Sequence, residues 1–566
     1  MKELINFFKK HYVFILITLL TILGFVLRIK IGLPQLASDE VATVVTASQP
    51  TFAKILDALL TKNFHAPLFY FILHFWIDLF GESTFSLRLL PILLGTACIP
   101  ISYFCGKELV SKKAGIFAAA IVSVNFFLIS YSHFCKFYAL LQLLGFLSVY
   151  FLTKFEKSEK IKFLYLLALV NAAIVYTYVL GFLFVFIQFV IYFGYRFFVK
   201  KNIDLKPVIH YAGALFVLSL PVIPFIAKVI INTQNSAFPG FWWYKFNLNH
   251  IPTVVLSWFS PALPYVYKEY AGTDATQAFY GLDILPIILF NIFPLLIVSI
   301  AIAKTILKKD FTTCLFVIAV LFILAELFGA VTGKFAFCSR FTTVCFPAIV
   351  LAAACGLAQI ESMRIFPKLL VVLYVLLNLL YLQFDLPSSF NTGVSDVFSL
   401  AETLNRYELK ENDYLIMPFR GYYLQKYYDT SKVNFISYDI NYSYKTNDEA
   451  VLGKIYDKED LNLEKGTTFY EKYRRYLEAK EPSKALSNHL QKDCLDKLKP
   501  KSRVILVVYL RYNTDDYDFI MKNYRKDNFK LLSVKLNHDI ETLLESSLSS
   551  PQIYAEKNYI IKEYKK

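Results

Sequence analysis

Up to about residue 385, apolar residues come in runs of about twenty, the length that crosses the hydrocarbon core of a bilayer. The runs predict about eleven transmembrane helices, near 12–32, 86–105, 114–131, 138–153, 163–179, 181–197, 208–230, 283–304, 312–331, 342–357 and 368–384. Charged residues are sparse before Asp385 and dense after it. The pattern therefore divides the chain into a membrane domain, 1–385, and a polar domain, 386–566. In the polar domain the period changes. Ser395–Arg406 has the spacing of an amphipathic helix, and Tyr414–Met417, Val504–Leu510 and Phe529–Val534 read as strands. Asp515–Tyr524 reads as a helix, and the tyrosine-rich stretch from Tyr438 to Pro500 leaves loops and helices open. A small α/β domain is expected.

Charge orients the spans. Lys2, Lys9 and Lys10 precede the first helix, and Lys107, Lys112 and Lys113 follow the second. Lysines or arginines then recur at every second loop, through Lys154–Lys162, Lys200–Lys206, Lys304–Lys309 and Arg364–Lys368. Such alternation marks the cytoplasmic side. It places the N-terminus inside and the polar domain outside. Two outer loops are long, Leu33–Phe85 and Ile231–Leu282. Within the first, Pro67–Phe80 is short for a span and carries His74 and Asp78, which predicts an amphipathic helix lying in the interface. The start, Met1–Leu20, has the basic and apolar order of a signal peptide but no small-residue cleavage site. It is expected to stay as the first helix.

Composition agrees with a membrane protein. Of 566 residues 56% are hydrophobic and 18% charged, against about 25% charged in soluble domains. The formal charge of +15 comes largely from the basic loops, so nucleic acid is not the expected partner. Of eight cysteines only Cys494 falls in the polar domain, which predicts no disulfide framework there. A bridge between Cys338 and Cys345 is the one pairing left open.

Four polar groups fall at the outer membrane face, where ionisable side chains are costly and often functional. Asp39 and Glu40 follow the first helix; adjacent carboxylates suit a general base or a metal, and equally an N-cap. His65 precedes Pro67, as a donor or ligand or as the lead into a helix. Tyr131–Tyr138 ends the third helix and holds Lys136, which can pair with phosphate or snorkel to the interface. Arg340 lies between the ninth and tenth helices, where its guanidinium fork suits phosphate or a lipid headgroup. No phosphate-binding loop, dinucleotide fingerprint or zinc-protease helix motif occurs.

The order of these motifs resembles a known family. Arg28 in the first helix is followed by SDE at 38–40, HAPLFYFILHFWIDLFG at 65–81, FSLRLLPILLG at 85–95, a basic GKELVSKKAG at 106–115, and YSHFCKFYAL at 131–140. SRFTTVCFPA follows at 339–348. This resembles bacterial glycosyltransferase family 39-type proteins, related to the protein O-mannosyltransferases and lipid A aminoarabinose transferases of the GT-C superfamily. The resemblance implies a polytopic GT-C-like helical protein of the bacterial plasma membrane. It implies transfer of a sugar from a polyprenyl-phosphate donor to a lipid, glycan or protein acceptor. Its acidic pair corresponds to Asp39 and Glu40, with Asp39 as the base. Its donor-binding elements correspond to His65, to Tyr131, Lys136 and Tyr138, and to Arg340. Two departures stand out: Phe134 occupies the position of a family glutamate, and Lys136 that of an arginine. A divalent metal at the acidic pair is left open. A phosphoethanolamine-type transferase would need a metal-rich polar domain, whereas only His489 and His538 occur there. A transporter of lipid-linked sugars would place its ionisable residues near the midplane rather than at one face.

Overall fold

The computed structural model describes residues 2–30, 38–60, 65–235, 248, 250–259, 293–308, 310–332, 337–360, 365–384, 396–418, 428–439, 452–454, 469–509, 528–555 and 559–566, with single positions 36, 424, 517, 518 and 521. The chain forms two compact units. One draws on Met1–Pro34, Thr46–Ile231 and Lys245–Gly393; the other on Gln35–Val45, Asn232–Tyr244 and Val394–Lys566.

The first unit is helical. It holds α1 (Lys2–Lys30), α3 (Phe52–Ala58), α4 (Leu68–Phe80), α5 (Thr84–Leu109), α6 (Lys112–Val124), α7 (Phe126–His133) and α8 (Tyr138–Ser158). It continues with α9 (Lys162–Thr177), α10 (Gly181–Gly194), a π turn at Tyr195–Val199, α11 (Lys206–Ser219), α12 (Ile223–Asn235) as far as Ile231, and α13 (His250–Phe259). Last come α14 (Phe293–Lys308), α15 (Phe311–Val331), α16 (Phe346–Ala358) and α17 (Phe366–Phe384). The starts are chemically marked. Ser83 accepts from the Ser86 N–H, Ser111 from Ala114 and Asp310 from Thr312 and Thr313, each satisfying a first-turn donor that has no intrahelical partner.

Among the described residues five helices are long and apolar enough to cross a membrane, or seven if each bent pair counts as one span. The expected spans at 114–131 and 208–230 are these bent pairs. The first breaks by 52° between α6 and α7, at Asn125; the second by 62° between α11 and Ile223–Ile231, where Pro221 cannot continue the helix. Part of the predicted span at 283–304 lies outside the described residues. Helix α4 occupies the stretch expected to be an interfacial helix.

Helix α5 packs against α1, α6, α7 and α8. Its approach to α7 depends on Gly95. A Cβ there would lie 2.0 Å from Ser132 Oγ and 2.7 Å from Ser132 Cβ, inside any tolerable contact.

The second unit contains α2 (Ser38–Ala47) only as far as Val45, and a six-stranded sheet. Its strands are β1 (Tyr414–Pro418), β2 (Asn434–Asp439), β3 (Leu452–Lys454), β4 (Arg503–Tyr509), β5 (Gln552–Ala555) and β6 (Tyr559–Lys565), in the order β3-β2-β1-β4-β6-β5. The first four are parallel neighbours; β6 runs antiparallel to β4 and β5. Alternate side chains point to opposite faces. Ile416, Val504 and Leu506 enter one core with α19 (Phe469–Glu478), α20 (Lys484–Asp493) and α21 (Asn528–Glu545), through Tyr476, Leu490 and Ile540. Leu415, Met417 and Ile505 enter the other with α18 (Asp396–Arg406), through Leu400 and Leu404.

One expectation fails here. Phe529–Val534 is not a strand but the start of α21. Leu536, Ile540 and Leu544 recur every fourth residue and share one core, a helical stripe that begins just beyond the short window read as a strand. The predicted helix at Asp515–Tyr524 lies mostly outside the described residues. All eight cysteines are buried and none forms a disulfide, Cys338 and Cys345 included.

Asp413 fastens the mouth of β1 to β4. Its Oδ2 accepts from Arg503 Nη2 at 2.7 Å and from the Lys410 N–H at 3.0 Å, and its Oδ1 accepts from the Arg503 N–H at 3.0 Å. Burial raises the carboxyl, but these donors outweigh it and hold Asp413 below the usual carboxylate range.

Two outcomes follow. Gly95→Val should separate α5 from α7 and lower the melting temperature of the detergent-solubilised protein; an unchanged melt contradicts this packing. Asp413→Asn should cost about 2 kcal/mol at pH 7. A depressed carboxylate stabilises above its unfolded value and loses that contribution as pH falls through its folded one. The gap from wild type should therefore close below about pH 4 in urea melts.

Candidate functional site

The break after α6 sets up the site. Asn125 caps α7, its Oδ1 accepting from the Leu128 N–H at 2.9 Å, while its Nδ2 donates to the Trp258 carbonyl at 2.8 Å and to Tyr374 Oη at 3.0 Å. One buried amide thus fixes the tilt of α7 against α13 and α17. At the far end of α7, Arg28 enters from α1. Its Nε donates to Ser132 Oγ at 3.2 Å, its Nη1 to the Gly24 carbonyl at 3.0 Å and its Nη2 to the Val122 carbonyl at 3.4 Å. The next residue, His133, bonds the Arg28 carbonyl through Nε2, and the His133 carbonyl accepts from Arg88 Nη1 at 2.9 Å.

This holds the turn from Tyr131 to Tyr138. Tyr131 Oη and Ser339 Oγ share a hydrogen bond of 3.0 Å, joining α7 to the 3₁₀ turn Ser339–Val344 that carries Arg340. Trp258 Nε1 donates to Thr342 Oγ1 of the same turn at 2.9 Å.

Stacked rings join the rest. His65 lies edge-on to Phe137, with ring centroids 5.3 Å apart. Phe137 stacks on Tyr178 at 5.9 Å, and Tyr178 stacks on Phe341 at 6.2 Å with 14° between the planes. The Arg340 guanidinium lies 4.9 Å over the Phe341 ring. Tyr138 closes the group, 5.1 Å from the Tyr131 ring and 4.9 Å from Phe137.

The structure therefore brings His65, Tyr131, Tyr138 and Arg340 together within the helical unit. Lys136 sits in the turn between Tyr131 and Tyr138, where the Lys136 N–H bonds the Phe134 carbonyl at 2.7 Å. Both cations are buried, Lys136 at 7% and Arg340 at 9% exposure.

Asp39 and Glu40 belong to the other unit, in the first turn of α2. The helix begins at Ser38, so Asp39 is inside it rather than at the cap. The Asp39 side chain lies outside the described residues; Glu40 is buried. Among the described residues no group of three or more His, Cys, Asp or Glu side chains could hold a metal ion.

Two further residues join the site without having been singled out. Tyr178 links both halves of the ring chain, and its hydroxyl donates to Glu326 Oε1 at 3.3 Å. Glu326 is 1% exposed within α15, and among the described residues its Oε2 accepts no hydrogen bond. It is the one acid in an otherwise apolar run, a signal the sequence does carry. Tyr178 has no such mark.

The family model for dolichyl-phosphate-mannose-protein mannosyltransferase matches residues 64–227, a stretch containing His65, Tyr131, Lys136 and Tyr138. The curated proteins give no match. Among solved structures, ArnT from Cupriavidus metallidurans bound to undecaprenyl phosphate aligns over 98% of both chains with a TM-score of 0.51 and 10% identity. Its apo form gives 0.53, also at 10% identity and 98% of both chains. The apo Archaeoglobus fulgidus oligosaccharyltransferase gives 0.51 at 12% identity, over 98% of this chain and 74% of that one. At these identities the likeness is one of fold.

Removing the Tyr178 hydroxyl would leave Glu326 buried without this donor. Tyr178→Phe should destabilise the folded protein by about 1–3 kcal/mol, read as a lower melting temperature. A melt equal to wild type would show that Glu326 does not depend on Tyr178.

Proposed function

From a chain with the fold of the GT-C glycosyltransferase superfamily, we propose an enzyme that moves a sugar from a polyprenyl-phosphate donor to an acceptor hydroxyl. The reaction takes place at the extracytoplasmic face of a bacterial plasma membrane. The N-terminus is cytoplasmic, residues 1–385 form the transferase domain and residues 386–566 an extracytoplasmic domain. The observation that carries this reading is the burial of Lys136 and Arg340 beside one chain of stacked aromatic rings. A phosphate is the anion that a guanidinium fork and an ammonium bind well. One of the structural relatives holds undecaprenyl phosphate, which favours a lipid-linked phosphate over a free one.

The mechanism is a single displacement. Asp39 accepts the proton of the acceptor hydroxyl, with Glu40 as the second member of the acidic pair. The acceptor oxygen forms a bond to the anomeric carbon as the bond from that carbon to the phosphate oxygen breaks. The electron pair leaves with the polyprenyl phosphate, and configuration inverts. Lys136 and Arg340 stabilise the phosphate charge that develops; one preorganised donor of this kind lowers a barrier by about 3 kcal/mol. His65, Tyr131 and Tyr138 hold the donor in place.

The test is transfer of label from a panel of radiolabelled polyprenyl-phosphate sugars to a membrane extract, with purified protein. Wild type should form a labelled product from one donor class. Asp39→Asn should abolish that product, and Arg340→Met should slow it by about 10²–10³-fold. Wild-type transfer by Asp39→Asn would overturn the assignment of the base.

A further inference from the structure

A second feature of the helical unit lies away from the aromatic chain. Helices α9 and α11 pack side by side and leave a groove of about 470 Å³ between them, lined by Tyr165 of α9 and by His210, Gly213, Ala214, Val217 and Leu218 of α11. That volume is within the about 300–1,000 Å³ range of small-molecule sites. Its walls are apolar apart from one polar pair, Tyr165 Oη and His210 Nδ1, which share a hydrogen bond of 2.7 Å.

Helical spacing fixes what stands at its mouth. Residues three and four apart share a helix face, so Lys162 lies one turn before Tyr165 and Lys206 one turn before His210. Both lysines are exposed, and among the described residues neither makes an ion pair. Two neighbouring cations are engaged: Arg196 pairs with Glu159 at 3.0 Å, and Lys200 pairs with Glu156. Asp204 is the nearby acid, and its Oδ1 caps α11 by accepting from the Lys206 N–H at 2.9 Å.

Depth matters next. From Lys206 to Val217 the helix rises about 16 Å at about 1.5 Å per residue. One leaflet of hydrocarbon is about 15 Å deep, half of a core of about 30 Å. The groove thus runs from a basic membrane surface to the midplane, where α11 ends. Gly213 forms part of its floor, and a Cβ there would meet nothing within 4 Å.

We propose that this groove is a binding site for one anionic phospholipid in the leaflet on the side of the basic loops. One acyl chain lies along Gly213, Ala214 and Val217. The phosphate lies against Lys162 and Lys206, within reach of the Tyr165–His210 pair. Charge decides the class of lipid: two exposed lysines that make no ion pair among the described residues favour a net negative headgroup over a zwitterionic one.

The test is native mass spectrometry of the full-length, delipidated protein titrated with phosphatidylglycerol or with phosphatidylcholine of the same chains. Wild type should retain one phosphatidylglycerol at least tenfold more tightly than phosphatidylcholine. The double variant Lys162→Gln, Lys206→Gln should bring the two lipids level. Gly213→Leu, which adds a side chain to the groove floor where a Cβ meets nothing within 4 Å, should weaken both at least tenfold while the melting temperature stays at the wild-type value. Equal retention of the two lipids by wild type would mark ordinary lipid coverage and overturn the proposal. So would a Gly213→Leu protein that keeps its tight adduct, or a wild-type dimer that Gly213→Leu splits, since a second copy would then occupy the groove. Should Gly213→Leu fail to fold, the lysine pair decides alone.

Discussion

A charged side chain inside an apolar unit must find its partners in the protein, because the surrounding solvent offers none. Arg28 is where this constraint bears hardest. It has no exposed surface, and its guanidinium is spent on the Ser132 hydroxyl and the Gly24 and Val122 carbonyls. Those partners lie on α7, on its own helix and on α6, so one cation ties three helices at the point where α6 breaks. The smallness of Gly95 lets α5 close over the same spot. Losing such a group would leave several buried polar atoms unpaired, each costing about 1–3 kcal/mol.

The turn that holds Lys136 hangs from this node. Ser132 and His133 are fixed by Arg28, and the residues on either side of them supply Tyr131 and Lys136. Tyr131 then reaches Ser339, and through the 3₁₀ turn it places Arg340. The two buried cations are thus located by a chain of polar contacts that starts in the first helix. The stacked rings of Phe137, Tyr178 and Phe341 give that arrangement a stiff apolar wall.

Much of this was legible in the sequence, and what was not has a physical reason. Long apolar runs announce helices, and each described helix from α5 to α17, except α13, falls on or beside a predicted span. The bends are local: Asn125 and Pro221 sit inside otherwise apolar stretches, and a window of about twenty residues averages them away. Motif order pointed to His65, Tyr131, Lys136, Tyr138 and Arg340, and the fold brings His65, Tyr131, Tyr138 and Arg340 into one set of contacts. Tyr178 was invisible because it is one tyrosine among 39, and only the third dimension sets it between Phe137 and Phe341. In the polar domain β1 and β4 read as strands, but β6 did not. Two of its charged residues, Lys562 and Glu563, are buried, Lys562 in a 3.0 Å contact with Glu541, and a charged pattern in sequence does not suggest an interior strand.

The claim on which the account turns is that Lys136 and Arg340 face a lipid-linked phosphate. The most direct measurement is an equilibrium titration of undecaprenyl phosphate against purified wild type and against the double variant Lys136→Met, Arg340→Met, each checked by its melting temperature. The account predicts that the folded double variant binds at least thirtyfold more weakly. A folded double variant that binds as tightly as wild type would contradict it.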